Sequence, residues 1–243
     1  MGTDSHTSGR FVTFEGLDGT GKSTQIQLLA SVLEARGVEV VVTREPGGTR
    51  LGEELRAIIL DSRRKEIAPY AELALLFACR AQLLHDVIEP ALEEGRWVLC
   101  DRFTDSSEAY QGSGRGLGSQ VIQTLHKALA NNRTPWMTVM LDGDLETSLG
   151  RARSRNRLAE GVDEGRFEAE SSTFYQKVQA GFRDLAARET HRVVLIDARQ
   201  PVDTIHEEIL AALDSRLWRE DRSLHSSTRQ LALDLNAGGY APV

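Results

Sequence analysis

The chain has 243 residues, of which 40% are hydrophobic and 27% charged, with a net charge of −7. That length can bury a sizeable core, while the acidic balance argues against bulk binding of nucleic acid or anionic membrane. No apolar run reaches the ~18 residues of a membrane span, and the opening "MGTDSHTSGR" has no apolar centre of a secretory signal, so a cytoplasmic protein is expected.

In chain order, "RFVTFE" is a short β-rich run that ends in a glycine loop and reads as a strand. From Lys22 to Arg36, Ile26, Leu29, Val32 and Leu33 recur at helical spacing, and Gly37 closes the run. "VEVVVT" (38–43) reads as a second, buried strand, and 50–61 as a helix with Leu51, Leu55, Ile58 and Ile59 on one face. Residues 69–94 predict a long, mostly apolar helix with Pro69 in its first turn and its end bent at Pro90. "RWVLC" (96–100), "WMTVML" (136–141) and "HRVVLI" (191–196) are three further strands, and a last helix runs from Pro201 to about Leu217. Strands alternating with helices of this length predict an α/β fold: a five-stranded parallel sheet covered on both faces, as in a three-layer α/β/α P-loop domain. One such domain is expected over 10–217, with disordered tails at 1–9 and 218–243 and at most a short helix near 228–235. Cys79 and Cys100 lie inside apolar runs and read as buried thiols in a reducing compartment.

"GLDGTGKS", residues 16–23, fits G-x-x-x-x-G-K-[ST] between a strand and a helix, the setting that a phosphate-binding loop requires. Glycines at 16, 19 and 21 let backbone N–H groups turn inward around a phosphate chain, and the following helix adds its positive end. Lys22 is then expected to reach the β- and γ-phosphates and the Ser23 hydroxyl to help hold Mg²⁺. A metal-binding acid is expected at the end of another strand, where "WVLCDR" offers Asp101; capping of the next helix is the other use of an Asp there. Asp18 is a second carboxylate within the loop.

The grip does not name the phosphate acceptor. The chain has no Asn-Lys-x-Asp segment of a GTPase and is too short for a helicase or transporter. Instead "TREPGGT" follows the second strand and "DRFTDSSEAYQGSGRG" the third. Loops at the carboxyl ends of parallel strands line one crevice, so these two arginine-bearing loops face the phosphate loop. Of 29 basic residues only Lys22, Lys65, Lys127 and Lys177 are lysines; the other 25 are arginines, whose planar fork suits phosphate. A general preference for arginine codons would give the same total, so particular positions carry the argument.

"FEGLDGTGKST", "TREPGGT", "DRFTDSSEAYQGSGRG" and the arginine-rich segment after the fourth strand resemble the bacterial thymidylate kinase family, from about Arg10 to Leu217. The resemblance implies a nucleoside monophosphate kinase fold and transfer from ATP–Mg²⁺ to dTMP, giving dTDP and ADP, in a homodimer. It implies that Gly16, Leu17, Asp18, Gly19, Thr20, Gly21, Lys22, Ser23, Thr24 and Arg151 hold ATP, with Ser23 and Asp101 on the metal. Arg44, Arg56 and Arg102, beside Pro46, would surround the acceptor phosphate. Asp18 would meet the 3′-hydroxyl, Phe77 would stack on thymine and Arg80 would donate to its O4. Ser107 and Gln111 would complete the base edge, and Tyr110 would crowd the 2′ position. By pattern alone Phe77, in "LALLFAC", reads as core; Arg80 three residues on shares its face and draws it toward a site.

Residues 149–170 form the candidate lid, centred on about 151–168. Arg151 and Arg155 share one helical face, Arg153 and Arg157 another, and such like-charge pairs repel unless anions meet them. Family members place a transition-state arginine either in the phosphate loop or in the lid. Gly19 follows Asp18 here, so the lid must supply it, and Lys22, Arg102, Arg153 and Arg155 are the expected catalytic set. The sequence departs from the family where Gly165 precedes "RFE" and where Glu108 adjoins Ser107. Two other functions stand beside this one: a kinase of another deoxynucleoside monophosphate or a nucleoside, and a nucleotide-binding protein that has lost turnover.

Overall fold

Five short, mainly apolar runs become the strands of one parallel sheet: β1 (Phe11–Gly16), β2 (Val40–Arg44), β3 (Trp97–Asp101), β4 (Met137–Asp142) and β5 (Val193–Asp197). Their order is β2-β3-β1-β4-β5, with every neighbouring pair parallel. The computed structural model describes residues 9–64, 66–158 and 165–218, without the side chains of 155–158. The expectations for 1–8, for the middle of the lid at 159–164 and for 219–243, including a helix near 228–235, lie outside the described residues.

The helices are α1 (Lys22–Ala35), α2 (Arg50–Leu60), α3 (Pro69–Leu83), α4 (Glu89–Glu93), α5 (Thr104–Ser107), α6 (Ser119–Leu129), α7 (Leu145–Leu158) and α8 (Ser172–Arg188), followed by α9 at 202–218. The central strands β1, β3 and β4 are buried almost throughout, because helices cover both faces. On one side α1 and α9 pack Ile26, Leu29, Leu33, Ile209 and Leu213 against Val12, Phe14 and Val139. On the other, α8 packs Tyr175, Val178 and Phe182 with Met140 and Val193, and α3 with its continuation packs Leu83, Leu84 and Ile88 with Val98 and Cys100.

Two readings of the sequence change, and a third gains detail. β2 is an edge strand and only partly buried, with Val42 43% exposed. Its continuous apolar run resembles that of a central strand, and only strand order separates the two. In α2, Ile59 and Leu60 are buried, whereas Leu51 is 45% and Ile58 37% exposed. The long helix expected over 69–94 is helical from Pro69 to Glu93, with its irregularity just before Pro90. A wide π-turn (Leu84–Ile88) precedes it and α4 continues beyond, a local adjustment that accommodates the missing N–H of proline.

The register fixes the site. Phe14 and Arg44 both lie opposite Asp101, and Gly16 opposite Leu141, so the loops after β1, β2, β3 and β4 leave from one edge of the sheet.

Candidate active site

The loop after β1 is shaped by glycines. Gly21 stands at φ 99° as the N-cap of α1, a conformation that costs an L-residue with a Cβ. A Cβ at Gly19 would fall 2.1 Å from the Ser148 carbonyl oxygen, so α7 lies directly against the loop. Lys22 is buried; its Nζ donates to the carbonyls of Gly16 (3.2 Å) and Leu17 (2.9 Å) and lies 4.0 Å from Asp18. Burial, then the Arg102 guanidinium, holds its pKa below the usual lysine range, a balance that bound phosphate would reverse.

Asp18, Gly19, Thr20, Gly21, Lys22, Ser23 and Thr24 line a donor-side cavity together with Asp101 and Arg151. Gly16 and Leu17 do not line it; they support it from behind, through the carbonyls that hold Lys22. Gln25, Ala198, Gln200, Pro201, Val202 and Ile205 also line it, and none of them was expected from the sequence. Gln25 Nε2 donates to the Val202 carbonyl (2.8 Å), which ties α1 to the loop after β5. That loop leaves a carboxyl end of the sheet, so the rule that found the loops after β2 and β3 was the available signal.

Ser23 Oγ donates to Asp101 Oδ2 at 3.0 Å, while Asp101 Oδ1 is buried without a hydrogen-bond partner. One hydroxyl and one under-used carboxylate suit Mg²⁺, which keeps waters and phosphate oxygens for most of its shell.

A second cavity adjoins the first, and Asp18, Glu45, Arg56 and Arg102 line both. Pro46, Arg80, Ser107, Tyr110 and Gln111 line the second cavity, so the structure brings these five named residues together. Arg44 lines the donor side instead and pairs with Glu53 at 3.0 Å. Arg56 Nη1 donates to the Pro46 carbonyl at 2.8 Å, holding the "EPGG" turn.

Phe77 lines neither cavity. It is fully buried against Leu73 and Ile122, with the Arg80 guanidinium 4.4 Å above its ring. Leu76 lines the acceptor cavity instead, with Leu60, Phe103 and Phe167. The expected stacking role for Phe77 is therefore corrected by one residue of helical phase: Leu76, four before Arg80, takes the cavity-facing position.

Arg80 is only 2% exposed. Its Nε and Nη2 lie 2.8 and 2.7 Å from Glu45 Oε2, and Nη2 donates to Ser107 Oγ at 2.9 Å. Its Nη1 is buried without a partner.

Arg102 joins the two cavities. Its φ of 73° is unusual for a residue with a Cβ and costs about 1–3 kcal/mol, which surrounding contacts must offset. Glu15 supplies two of them: Oε1 accepts from Phe103 N at 2.7 Å and Oε2 from Ser106 Oγ at 2.5 Å. Ser106 Oγ in turn accepts from Arg102 Nη1 at 2.8 Å, while Arg102 Nη2 reaches Asp18 at 2.8 Å. Burial, reinforced by Asp105, raises the Glu15 pKa to about 8. Tyr110 stays a neutral phenol because burial raises its pKa; Arg102 lies over its ring at 5.2 Å.

Of the lid arginines, Arg151 lines the donor cavity and Arg153 Nη2 reaches the Glu168 carbonyl at 3.4 Å. The side chains of Arg155 and Arg157 lie outside the described residues. Glu108 turns outward to Arg188 at 2.5 Å and accepts from Ser119 at 3.0 Å, so it does not line the acceptor cavity beside Ser107.

Two adjoining cavities, one on a phosphate loop and one on an arginine cluster, with Asp18 and Arg102 common to both, are the layout of a nucleoside monophosphate kinase. The family model described as thymidylate kinase matches residues 14–209. The thymidylate kinase of Desulfovibrio desulfuricans is 48% identical over 215 residues, 88% of this chain and 99% of that protein. That of Trichlorobacter lovleyi is 47% identical over 207 residues, 85% of this chain and 98% of the other. A crystal structure of thymidylate kinase from Ehrlichia chaffeensis matches with a TM-score of 0.68 at 33% identity, covering 85% of this chain and 99% of that one. The chain belongs to the thymidylate kinase family, and with it to the ATP-dependent phosphotransferases. Among the described residues no helix is long and apolar enough to cross a membrane.

Proposed function

We propose that the chain transfers the γ-phosphoryl group of ATP to dTMP, giving ADP and dTDP. The observation that carries this reading is Arg80, a guanidinium almost wholly buried on an apolar cavity wall, with Nη1 buried and unpaired. Such a group calls for an acceptor that enters the cavity, and a pyrimidine carbonyl supplies one. Phosphate-loop amides and Lys22 bind the donor, and Asp18 accepts from the sugar 3′-hydroxyl. Arg56 and Arg102, with Arg44 at the donor edge, hold the acceptor phosphate. Tyr110 fills the space that a 2′-hydroxyl would need.

An acceptor phosphate oxygen bonds to the γ-phosphorus as the bridge to the β-phosphate breaks, and the electron pair leaves on ADP. That oxygen is already anionic, so no general base is assigned. Arg102, with the lid arginines Arg153 and Arg155 as the further catalytic candidates, would stabilise the charge that spreads over the transferring oxygens. Ser23 and Asp101 would hold Mg²⁺, which when bound offsets phosphate charge. Closure of a lid at about 151–168 over a single domain spanning 10–217 would exclude water.

Exposed Leu51 and Ile58 on α2 and Tyr70 on α3 support a homodimer through these helices, and the free, buried Cys79 and Cys100 fit a reducing cytoplasm. The test is ADP release from ATP–Mg²⁺ with dTMP, dUMP, dCMP, dGMP, UMP or no acceptor. Turnover with dTMP far above the others is expected. Nucleotide binding without any phosphorylated acceptor would overturn the kinase reading.

A further inference from the structure

Glu72 stands in the first turn of α3, is 1% exposed, and does not line the acceptor cavity. A buried carboxylate is unfavourable unless its lone pairs are filled, and these are filled by three residues from two separate segments. Oε1 accepts from Gln111 Nε2 at 2.8 Å and Arg115 Nε at 3.2 Å; Oε2 accepts from Arg115 Nη2 at 3.0 Å and Arg166 Nη2 at 2.8 Å.

Two consequences follow from the partners. A carboxylate only accepts, so the Gln111 amide must turn its NH₂ end to Glu72, and its carbonyl end is the one left for the cavity that Gln111 lines. Arg166 and Arg115 meanwhile dock the segment returning from the lid. Arg166 N and Nε donate to the carbonyls of Leu60 (3.0 Å) and Ile59, and Arg115 Nη1 lies 2.6 Å from Glu170. Between them Phe167 sits under both guanidiniums, 4.6 Å from Arg166 and 5.7 Å from Arg115, edge-on to Tyr110 at 5.6 Å. Phe167 and Glu168 thereby wall the acceptor cavity.

We propose that Glu72 is a positioning residue for acceptor specificity: it fixes Gln111 so that an amide oxygen faces the base, and it clamps the root of the lid as one wall of the same cavity. This rests on the acceptor assignment made above. An amide oxygen accepts from the ring N–H of thymine or uracil and opposes the bare ring nitrogen of cytosine. Glu72 therefore selects imide bases without touching them.

The experiment compares kcat/KM for dTMP and dCMP, with amide hydrogen exchange over residues 166–170 of the ligand-free protein, in the wild type and Glu72→Gln. A neutral amide at 72 accepts or donates, so Gln111 loses its fixed orientation. The dTMP-to-dCMP ratio is expected to fall by about tenfold or more and exchange of 166–170 to quicken by about tenfold, with KM for ATP unchanged. Arg115→Met, which loosens the clamp but leaves the bond from Gln111 to Glu72, should speed exchange and slow both acceptors alike. If Glu72→Gln does not fold, Glu72→Asp carries the test, with the ratio falling by about threefold. An unchanged ratio, or both acceptors slowed equally in the Glu72 variant, overturns the specificity role. Should the wild type not phosphorylate dTMP, the acceptor assignment fails instead, and unchanged exchange would still overturn the clamp.

Discussion

The donor and acceptor halves of the site are built in opposite ways. The donor half is mostly one contiguous glycine-bearing loop, and its buried Lys22 rests on carbonyls of that same loop. The acceptor half takes side chains from the loop after β2, from α3 and from the segment after β3, and holds its buried arginine through Glu45. A backbone cradle tolerates any polyphosphate, whereas a cage of paired side chains reads one base and fails when one member is removed. Specificity therefore belongs to the acceptor half, with Asp18 and Arg102 as the hinge between the two.

Substitutions can break that division cleanly. Lys22→Ala should lower kcat by about 10³-fold, since a cation facing the transferring phosphate is lost, while dTMP affinity by calorimetry stays within about twofold. Arg80→Gln should do the reverse, reducing kcat/KM for dTMP by about 10²-fold through loss of a charged hydrogen bond and leaving KM for ATP in place. It should also lower stability by about 3 kcal/mol, because Glu45 keeps its burial without its cation. A denaturant titration beside the kinetics checks both parts.

Smaller effects sharpen the boundary between wall and core. Leu76→Ala should raise KM for dTMP by about fivefold. Phe77→Leu should lower the melting temperature and leave that KM within about twofold. Equal shifts in KM would return Phe77 to the cavity.

A separate effect, read in stability and not in turnover, concerns Glu15. Its folded pKa, about 8, lies above the unfolded carboxylate value, so the folded state holds a proton that the unfolded chain releases. Wild-type stability should therefore fall as pH rises from 5 to 8, a slope that Glu15→Gln removes. The wild type should therefore lose stability relative to Glu15→Gln over that range, and a difference in unfolding free energy that stays constant with pH would deny the buried proton.

How legible each half was in the sequence follows from the same contrast. "GLDGTGKS" is local, so its strand, loop and helix were all readable, as was the Asp101 partner at the end of β3. The floor after β5 is lined by the uncharged Ala198, Gln200, Pro201 and Val202 and was missed, although its position at a strand end marked it. Leu76 and Phe77 sit side by side in an apolar helix, and one residue of phase, invisible in the pattern, decides which meets the cavity. Edge position hid the exposure of β2 in the same way, since strand order is a tertiary fact. Glu72 is the clearest retrospective signal: a single acid inside "PYAELALLF" has to be paired, but its partners lie 39, 43 and 94 residues away.

The most direct measurement is phosphorus-31 NMR of the protein with ATP–Mg²⁺ and dTMP. The γ-phosphate signal of ATP should disappear as the two coupled doublets of dTDP grow beside those of ADP, with no inorganic phosphate. Inorganic phosphate growing while dTMP stays intact would contradict phosphoryl transfer between two nucleotides.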